Sequence, residues 1–351
     1  MQQLTRFIVL PALVGALLGL MIMWFLSDSQ AGAKPGYAAA VARATPAVVN
    51  IQTRTIRVDN PLCRFYRGLC EAFPSRAQQS LGSGVILRSD GYILTNEHVV
   101  GGADEILVMF ANGQVVTAEV IGSDLHTDLA VIKVAANGLP VIPQAEADDI
   151  QVGDIALAIG NPFGLGHSVS QGIVSALARA SITRQPYDDF IQTDAAISPG
   201  NSGGALVDFR GRLLGINTMI VSQSGGSEGI GFAIPVDIAG YVLDEIIDNG
   251  RVIRGWLGVT LSPNFTSSGI NGLRVEGVAR GGPAHRAGIQ AGDVVMSINQ
   301  LTTTSPHSVP QLISRTRPGE TLQLEVMRGE QRFRSSAVVQ ELPAPRRRPG
   351  S

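Results

Sequence analysis

The chain has 351 residues, a hydrophobic content of 44% and a formal net charge of -2. This length and apolar content are enough for two folded domains and exclude a disordered protein. The near-neutral charge argues against nucleic-acid binding, which needs a basic surface. The one basic run, residues 346–348, lies in a tail flanked by proline and glycine. Forty-one glycines and 5% aromatic residues favour short strands joined by tight turns, as in barrels or sandwiches.

Residues 7–26 contain no charged side chain over the length that a membrane-spanning helix needs. Arg6 precedes this segment and Asp28 follows it, so we expect a cytoplasmic N-terminus at 1–6 and an extracytoplasmic chain after residue 27. The alternative is a cleaved signal peptide, since residues 31–33 resemble an A-x-A cleavage site. Signal peptides, however, have apolar regions of about 7 to 15 residues. The sequence therefore favours a transmembrane anchor followed by a linker at 27–37.

The only two cysteines, Cys63 and Cys70, have six residues between them. Outside a reducing compartment such a pair can close a small loop. Free thiols or half of a metal site are the alternatives, although no histidine lies nearby at ligand spacing. We favour a structural disulfide.

Short strands separated by turn signals follow the linker. LGSGVILRSDGYILTN is split by Asp90-Gly91 and EILVMFANGQVVTAEVI by Asn112-Gly113, and both patterns predict hairpins. Further apolar runs continue to about residue 221 with the spacing of antiparallel barrels. PVDIAGYVLDEIIDNG then predicts a helix that ends at Asn249-Gly250. This stop closes a first domain, predicted at 38–250.

Beyond the helix, five short strands are predicted in RGWLGV, LRVEGV, GDVVMSIN, TLQLEVMR and FRSSAVV, with a helical turn in GGPAHRAGI. These strands form a second domain of ordinary size, predicted at 255–343. A disordered basic tail is expected at 344–351.

Ser202 lies in GNSGGAL, where a serine is surrounded by glycines. A serine hydroxyl is a poor nucleophile unless a histidine takes its proton and a carboxylate orients that histidine. His98 follows the predicted strand YILTN, and Asp128 precedes the predicted strand LAVIKV. The chain order His98, Asp128, Ser202 is that of chymotrypsin-like proteases.

The glycines around Ser202 suit an oxyanion hole. Backbone amides of Gly200 and Ser202, with Asn201 between them, can point into one concavity and bind the oxyanion of a tetrahedral intermediate. That geometry needs unusual backbone angles, which glycine adopts readily.

The motifs TNEHVV, TDLAVIKV, GNPFG, QTDAAISPGNSGGALV and GIGFAIP resemble those of the HtrA family of serine proteases, over nearly all of residues 38–343. The resemblance implies a mainly β fold: a chymotrypsin-like double β-barrel protease domain followed by a PDZ domain. It also implies a homotrimer that needs no cofactor and no metal. One PDZ domain and an N-terminal anchor are most similar to the DegS type.

That type of HtrA protease is anchored in the inner membrane with its protease and PDZ domains in the periplasm. It binds C-terminal peptides of misfolded outer-membrane proteins and makes the first cut in a membrane-bound anti-sigma factor. Two alternatives are a general periplasmic quality-control protease or chaperone and a catalytically idle PDZ scaffold. The intact triad argues against the scaffold, and the anchor with a single PDZ domain argues against bulk quality control.

The resemblance also assigns roles outside the triad. PDZ domains capture an extended peptide as an added strand and hold its carboxylate with backbone amides. The loop Trp256, Leu257, Gly258 and Val259 resembles the family's carboxylate-binding loop. Arg179, Gln192 and Glu228 resemble its activation relay. The sequence departs from the pattern at Phe163, where the DegS type has tyrosine, and at Pro310, near the start of the groove helix.

Overall fold

The computed structural model describes residues 15–19, 21, 36–57, 76–162, 166–179, 189–198, 200–220, 229–267, 270–302 and 308–343. The chain divides into two compact units, residues 1–39 and 40–351. Residues 15–19 and 21 of the first unit are helical. Within the described ranges, no helix is both long enough and apolar enough to cross a membrane.

Several predictions from the sequence fall on residues outside those ranges and stay predictions. They concern most of the anchor at 7–26, the tail at 344–351, and the side chains of Cys63, Cys70, Phe163 and Glu228.

Six antiparallel strands form a first closed barrel, in the order β1-β2-β3-β6-β5-β4. Helix α1 (Ala38–Ala44) and a 3-10 turn (Thr45–Ala47) precede it. Its strands are β1 (Val48–Arg57), β2 (Arg76–Ile86), β3 (Tyr92–Asn96), β4 (Glu105–Met109), β5 (Val115–Asp124) and β6 (Leu129–Val134), and the one-turn helix α2 (Glu97–Val100) follows β3. The hairpins predicted at Asp90-Gly91 and Asn112-Gly113 are confirmed, because β2 pairs with β3 and β4 with β5.

A second closed barrel has the order β10-β11-β12-β9-β8-β7. A 3-10 turn (Ala147–Asp149) lies before it. Its strands are β7 (Ile155–Gly160), β8 (Ser168–Arg179), β9 (Phe190–Thr193), β10 (Ala205–Val207), β11 (Leu213–Ile220) and β12 (Gly231–Pro235). Each barrel has its own apolar core, with fully buried side chains such as Ile51 and Leu129 in the first and Ile159 and Leu206 in the second.

Helix α3 (Val236–Asn249) follows the second barrel and ends where the sequence predicted. Gly250 adopts a φ of 71°, and its amide donates to the carbonyl of Ile246 at 2.9 Å. This left-handed cap is the conformation that favours glycine at a helix C-terminus.

The remaining elements form a C-terminal sheet domain with the strand order β14-β15-β16-β18-β19. Its strands are β13 (Gly255–Trp256), β14 (Val259–Ser267), β15 (Ile270–Val278), β16 (Val294–Ile298), β17 (Leu301–Thr302), β18 (Thr321–Arg328), β19 (Gln331–Val338) and β20 (Gln340–Glu341), and its helices are α4 (Pro283–Arg286) and α5 (Ser308–Arg315). The two-residue strands β13, β17 and β20 were not predicted separately, because they are too short for an alternating pattern. Among the residues that the structure describes, β14 pairs only with β15, and its other edge can accept an added strand.

Candidate active site

Two neighbouring strands of the first barrel bring His98 and Asp128 together. β3 pairs with β6 so that Asn96 lies opposite Leu129, and each predicted residue lies just beyond the paired ends. The Nδ1 atom of His98 is 2.7 Å from Oδ2 of Asp128, and the backbone amide of His98 donates to Oδ1 at 3.0 Å. Asp128 adopts a φ of 56°, a conformation that a non-glycine residue keeps only when its surroundings hold it. The two contacts from His98 supply part of that restraint.

The carboxylate changes the acid-base behaviour of the imidazole. The hydrogen bond with Asp128 raises the pKa of His98 above its ordinary value, and it outweighs burial, which acts in the opposite direction. A base with a raised pKa accepts a proton more readily. Burial and the negative charge of Asp128 also raise the pKa of the neighbouring Glu97.

Thr218, on β11 of the second barrel, connects the predicted nucleophile to the carboxylate. Its hydroxyl donates to Oδ2 of Asp128 at 2.8 Å, and its carbonyl accepts the hydroxyl of Ser202 at 3.0 Å. Among the hydrogen bonds of the described residues, none joins Ser202 to His98, so the serine hydroxyl must rotate toward the imidazole before reaction. Sequence reasoning missed Thr218, because its role depends on contacts with residues 90 positions away.

The glycine-rich loop forms a tight turn in which two amides have no acceptor among the described residues. The amide of Asn201 donates to the carbonyl of Ser198 at 2.9 Å, and Gly200 has a φ of 95°, as the third residue of a type II turn requires. A Cβ at Gly200 would lie 2.4 Å from Cβ of Pro162, so the position excludes other residues.

The free amides are those of Gly200 and Ser202. Within the described part of the chain they donate to no protein acceptor, whereas the amides of Asn201, Gly203 and Gly204 are all taken. The amide of Asn201, which was predicted to belong to the oxyanion hole, instead closes the turn by donating to Ser198. Two free amides on one turn are the donors that an oxyanion hole needs.

The predicted carboxylate-binding loop connects β13 to β14. The carbonyls of Leu257 and Gly258 accept the amides of Ala284 and Ala279 at 2.9 and 2.8 Å. The amides of Leu257 and Gly258 themselves have no main-chain acceptor among the described residues. Gly258 has a φ of 76°, which turns the backbone into the concave shape that binds anions.

The loop, β14 and helix α5 all contribute apolar side chains to the core of the C-terminal domain. Leu257, Val309 and Ile313 are buried in this core, and Val259 and Leu261 pack against it. The edge of β14 and helix α5 are the elements between which a PDZ domain would bind an added strand. Pro310 lies within α5.

The predicted relay residues lie on adjacent strands of the second barrel as far as the structure describes them. Arg179 faces Phe190 across β8 and β9, and Gln192 faces Ala176. Gln192 is partly buried. Two further histidines lie outside the triad: Nε2 of His167 contacts the carbonyl of Val48 at 2.8 Å, and His285 is exposed on α4.

Comparison with known proteins agrees with this architecture. Residues 82–216 match the trypsin-like peptidase domain, and residues 255–336 match the PDZ domain. The chain is 42% identical over 310 residues to the serine endoprotease DegS of Haemophilus influenzae, covering 87% of each chain. It is 41% identical over 339 residues to a probable periplasmic serine endoprotease, DegP-like, of Halomonas elongata, covering 88% of this chain and 71% of the relative. A solved structure of the HtrA-type protease AlgW with a tripeptide is 44% identical with a TM-score of 0.77, covering 89% of this chain and 99% of that one.

Proposed function

Because the chain belongs to the HtrA family of serine endopeptidases, we propose that it is a membrane-anchored protease of the cell envelope whose PDZ domain controls cleavage. The domains after the anchor act in the periplasm, where related proteases are found. The observation that carries the catalytic part of this proposal is the chain of contacts from Ser202 through Thr218 to Asp128 and His98.

We assign the catalytic roles as follows. Ser202 is the nucleophile that attacks the peptide carbonyl, and His98 takes its proton and later gives it to the leaving amine. Asp128 holds the imidazole with its Nδ1 bonded, so that Nε2 faces the serine. The amides of Gly200 and Ser202 bind the oxyanion that forms on the carbonyl oxygen.

Replacement of the nucleophile tests the assignment. We expect Ser202→Ala to lower the rate of cleavage of denatured casein by about four or more decades while the protein stays folded. Ser335→Ala is the matched control. It also removes a serine hydroxyl that donates to a carbonyl, that of Ala287 at 2.6 Å, but Ser335 lies on β19 of the C-terminal domain. Cleavage by Ser202→Ala at a rate near that of the unaltered protein would show that another residue is the nucleophile.

Contacts of the PDZ domain with the second barrel and with helix α3 of the protease domain support control by the PDZ domain. Gln311 and Arg315 lie on the groove helix α5. Gln311 donates to Asp189, just before β9, and Arg315 donates to Asp237 on α3 at 2.7 Å. Arg317, just after α5, pairs with the buried carboxylate of Glu245 on α3. A peptide that enters the groove beside α5 therefore acts on a helix that already contacts the protease domain.

The linker between the two domains, residues 250–254, is also fixed by hydrogen bonds to helix α3. Ile253 donates its amide to Glu245 at 3.2 Å and accepts the hydroxyl of Tyr241 at 3.1 Å. Gly255 leaves no room for a side chain, since a Cβ there would lie 2.3 Å from the carbonyl of Ile313 at the end of α5. A shift of α5 must then be transmitted to the linker.

We propose that this docked arrangement restrains the protease and that peptide binding releases it. A ligand shifts such an equilibrium only by its difference in affinity for the two states. A change from about 1% to 99% active needs roughly 5.5 kcal/mol, which a homotrimer could divide among three subunits. On this view, deletion of residues 255–351 leaves an active protease.

The proposed activators are C-terminal peptides of misfolded outer-membrane proteins, and the proposed substrate is a membrane-bound anti-sigma factor. The structure of AlgW with a tripeptide supports peptide capture, and the amides of Leu257 and Gly258, which have no main-chain acceptor in the described part of the chain, suit a terminal carboxylate. Full-length protein should sediment with inner membranes and resist extraction by salt. A mature N-terminus at Lys34 would instead indicate a cleaved signal peptide.

General quality control is the second candidate function, favoured by the similarity to DegP-like relatives. The two functions differ in what they cut. A quality-control protease degrades many denatured proteins into short peptides, whereas the proposed regulator makes a defined cut in a membrane-bound substrate. Product analysis by mass spectrometry with both substrate types separates them.

A further inference from the structure

We infer that Ser83 is a positioning residue that holds both oxyanion donors in place from the opposite barrel. Ser83 lies on β2 of the first barrel and is fully buried. Its amide donates to the carbonyl of Ser202 at 2.8 Å, and its hydroxyl donates to the carbonyl of Gly200 at 2.7 Å. These are the two residues whose own amides are free for an oxyanion.

The direction of the hydroxyl bond is fixed by a third partner. The amide of Asn161, just beyond β7, donates to the Ser83 hydroxyl oxygen at 2.8 Å. A serine hydroxyl has only one proton to give, and a backbone amide can only donate. The oxygen therefore accepts from Asn161, and its single proton goes to Gly200.

The remaining polar group of Ser83 keeps the residue itself in position. Its carbonyl accepts the hydroxyl of Thr95 at 2.7 Å, and Thr95 is also fully buried. The nucleophile loop packs directly on this carbonyl, because a Cβ at Gly203 would lie 2.1 Å from it. Every hydrogen-bonding group of Ser83 is thus engaged, and the loop has no space to move toward it.

Anchoring the Gly200 carbonyl matters because glycine tolerates either hand of backbone conformation. Without a fixed carbonyl, the turn around Gly200 could adopt an arrangement in which its amide points away from the cleft. The bond from Ser83 selects the arrangement with a φ of 95° at Gly200, and the bond to Ser202 fixes the second donor. Ser83 acts on the reaction only through these two residues.

An ordinary buried serine would affect stability without a selective effect on catalysis. A positioning role predicts a different pattern: a lower kcat, an unchanged KM, and weaker binding of compounds that mimic the tetrahedral intermediate. The midpoint of the pH-rate profile should also stay in place, because Ser83 does not contact His98 or Asp128.

The test compares Ser83→Ala, Ser83→Thr and Ser83→Cys in full-length protein in detergent, with Ser335→Ala as the matched control. Cleavage of fluorescently labelled denatured casein gives kcat and KM, and a peptidyl boronic acid reports the affinity for a tetrahedral adduct. Removing an oxyanion donor itself costs about a hundred- to a thousandfold in kcat, so we expect Ser83→Ala to lose roughly ten- to a hundredfold. Boronate affinity should fall by a similar factor, and KM should stay within about twofold.

The hydroxyl of threonine should restore kcat to within about threefold of the serine enzyme, and the weaker thiol donor should give an intermediate kcat. Where Ser83→Ala or Ser83→Thr does not fold, Ser83→Cys decides by the same two measurements. The proposal is overturned if Ser83→Ala, or Ser83→Cys where Ser83→Ala does not fold, keeps kcat and boronate affinity within threefold of the unaltered protein. It is also overturned if only KM changes, or if Ser335→Ala lowers kcat equally.

Discussion

Replacing Arg254 with alanine should release the C-terminal domain from the first barrel. The guanidinium of Arg254, at the end of the domain linker, donates to both carboxylate oxygens of Asp124 at 2.6 Å. Both side chains are only 5% exposed. Asp124 in turn accepts the hydroxyl and the amide of Thr127, the residue before the catalytic Asp128. The pair therefore joins the linker to the segment that presents the triad carboxylate.

The size of the effect follows from burial. Breaking a buried ion pair by removing one partner typically costs about 3–5 kcal/mol, because the other charge is left without its counter-ion. After Arg254→Ala, Thr127 would still donate to the Asp124 carboxylate, but the buried carboxylate would lose its guanidinium partner. Arg332, which pairs with Glu325 at 2.8 Å but is 60% exposed, provides a matched control. Exposed pairs of this kind contribute about 0–1 kcal/mol.

The contribution of the pair also depends on pH. Burial alone would raise the pKa of Asp124, but the hydrogen bonds and the charge of Arg254, together with the hydrogen bond from Thr127, outweigh burial and hold that pKa below its ordinary value. A carboxyl group with a lowered folded pKa stabilises the fold at pH values above its unfolded pKa, about 3.9. That stabilisation is lost as the pH falls through the folded pKa.

Hydrogen exchange measured by mass spectrometry gives a direct assay. The amides of Ile253 and Leu342 are bonded to Glu245 and to the Arg254 carbonyl, so they report opening of the linker region. A loss of about 3–5 kcal/mol corresponds to roughly two to three and a half decades of protection. Arg254→Ala should also raise cleavage in the absence of peptide.

The reasoning would be refuted if protection of these amides changed less than threefold in Arg254→Ala. Equal effects of Arg254→Ala and Arg332→Ala would refute it as well. Arg254→Lys should give a partial loss, because lysine keeps the charge but cannot make the bidentate contact.

Three further predictions concern the triad and the cysteines. The rate of cleavage should fall with decreasing pH through a midpoint above the ordinary imidazole value of about 6.5, because the bonded carboxylate raises the pKa of His98. Asp128→Asn should lower that midpoint and decrease kcat by about four decades. A midpoint that does not move in this variant would argue against His98 as the base. Thr218→Val should lower kcat roughly tenfold by removing one hydrogen bond to the carboxylate, which steady-state kinetics and a melting curve would separate from unfolding. Intact-mass analysis of the native protein should show two protons fewer if Cys63 and Cys70 are bonded, and two free thiols would contradict the disulfide.

Local signals in the sequence were enough for much of the fold. Asp90-Gly91 and Asn112-Gly113 are turn residues between alternating runs, and Gly250 supplies the left-handed cap of α3. The signals are reliable because each depends on a few adjacent residues. Two-residue strands such as β17 carry no such pattern and could not be predicted.

The residues of the site also fall into those that the sequence predicts and those that it does not. His98 and Asp128 could be placed at strand ends from motifs of a few residues. Ser83 and the Arg254–Asp124 pair could not, since their roles arise from contacts across 117 and 130 residues. A serine between two glycines of a strand and an arginine after a helix have no sequence signature of such contacts. Only the packing of one barrel on the other, and of the linker on the first barrel, creates them.

Control by a captured C-terminus is the central claim, and one comparison tests it most directly. Initial rates of casein cleavage by the full-length protein would be measured with a hydrophobic peptide that has a free C-terminal carboxylate and with the same peptide amidated. We expect low cleavage without peptide, strong stimulation by the free carboxylate, and little by the amidated peptide, because the amides of Leu257 and Gly258, which have no main-chain acceptor among the described residues, would lose their anion. Equal stimulation by both peptides, or full activity without either, would contradict the claim.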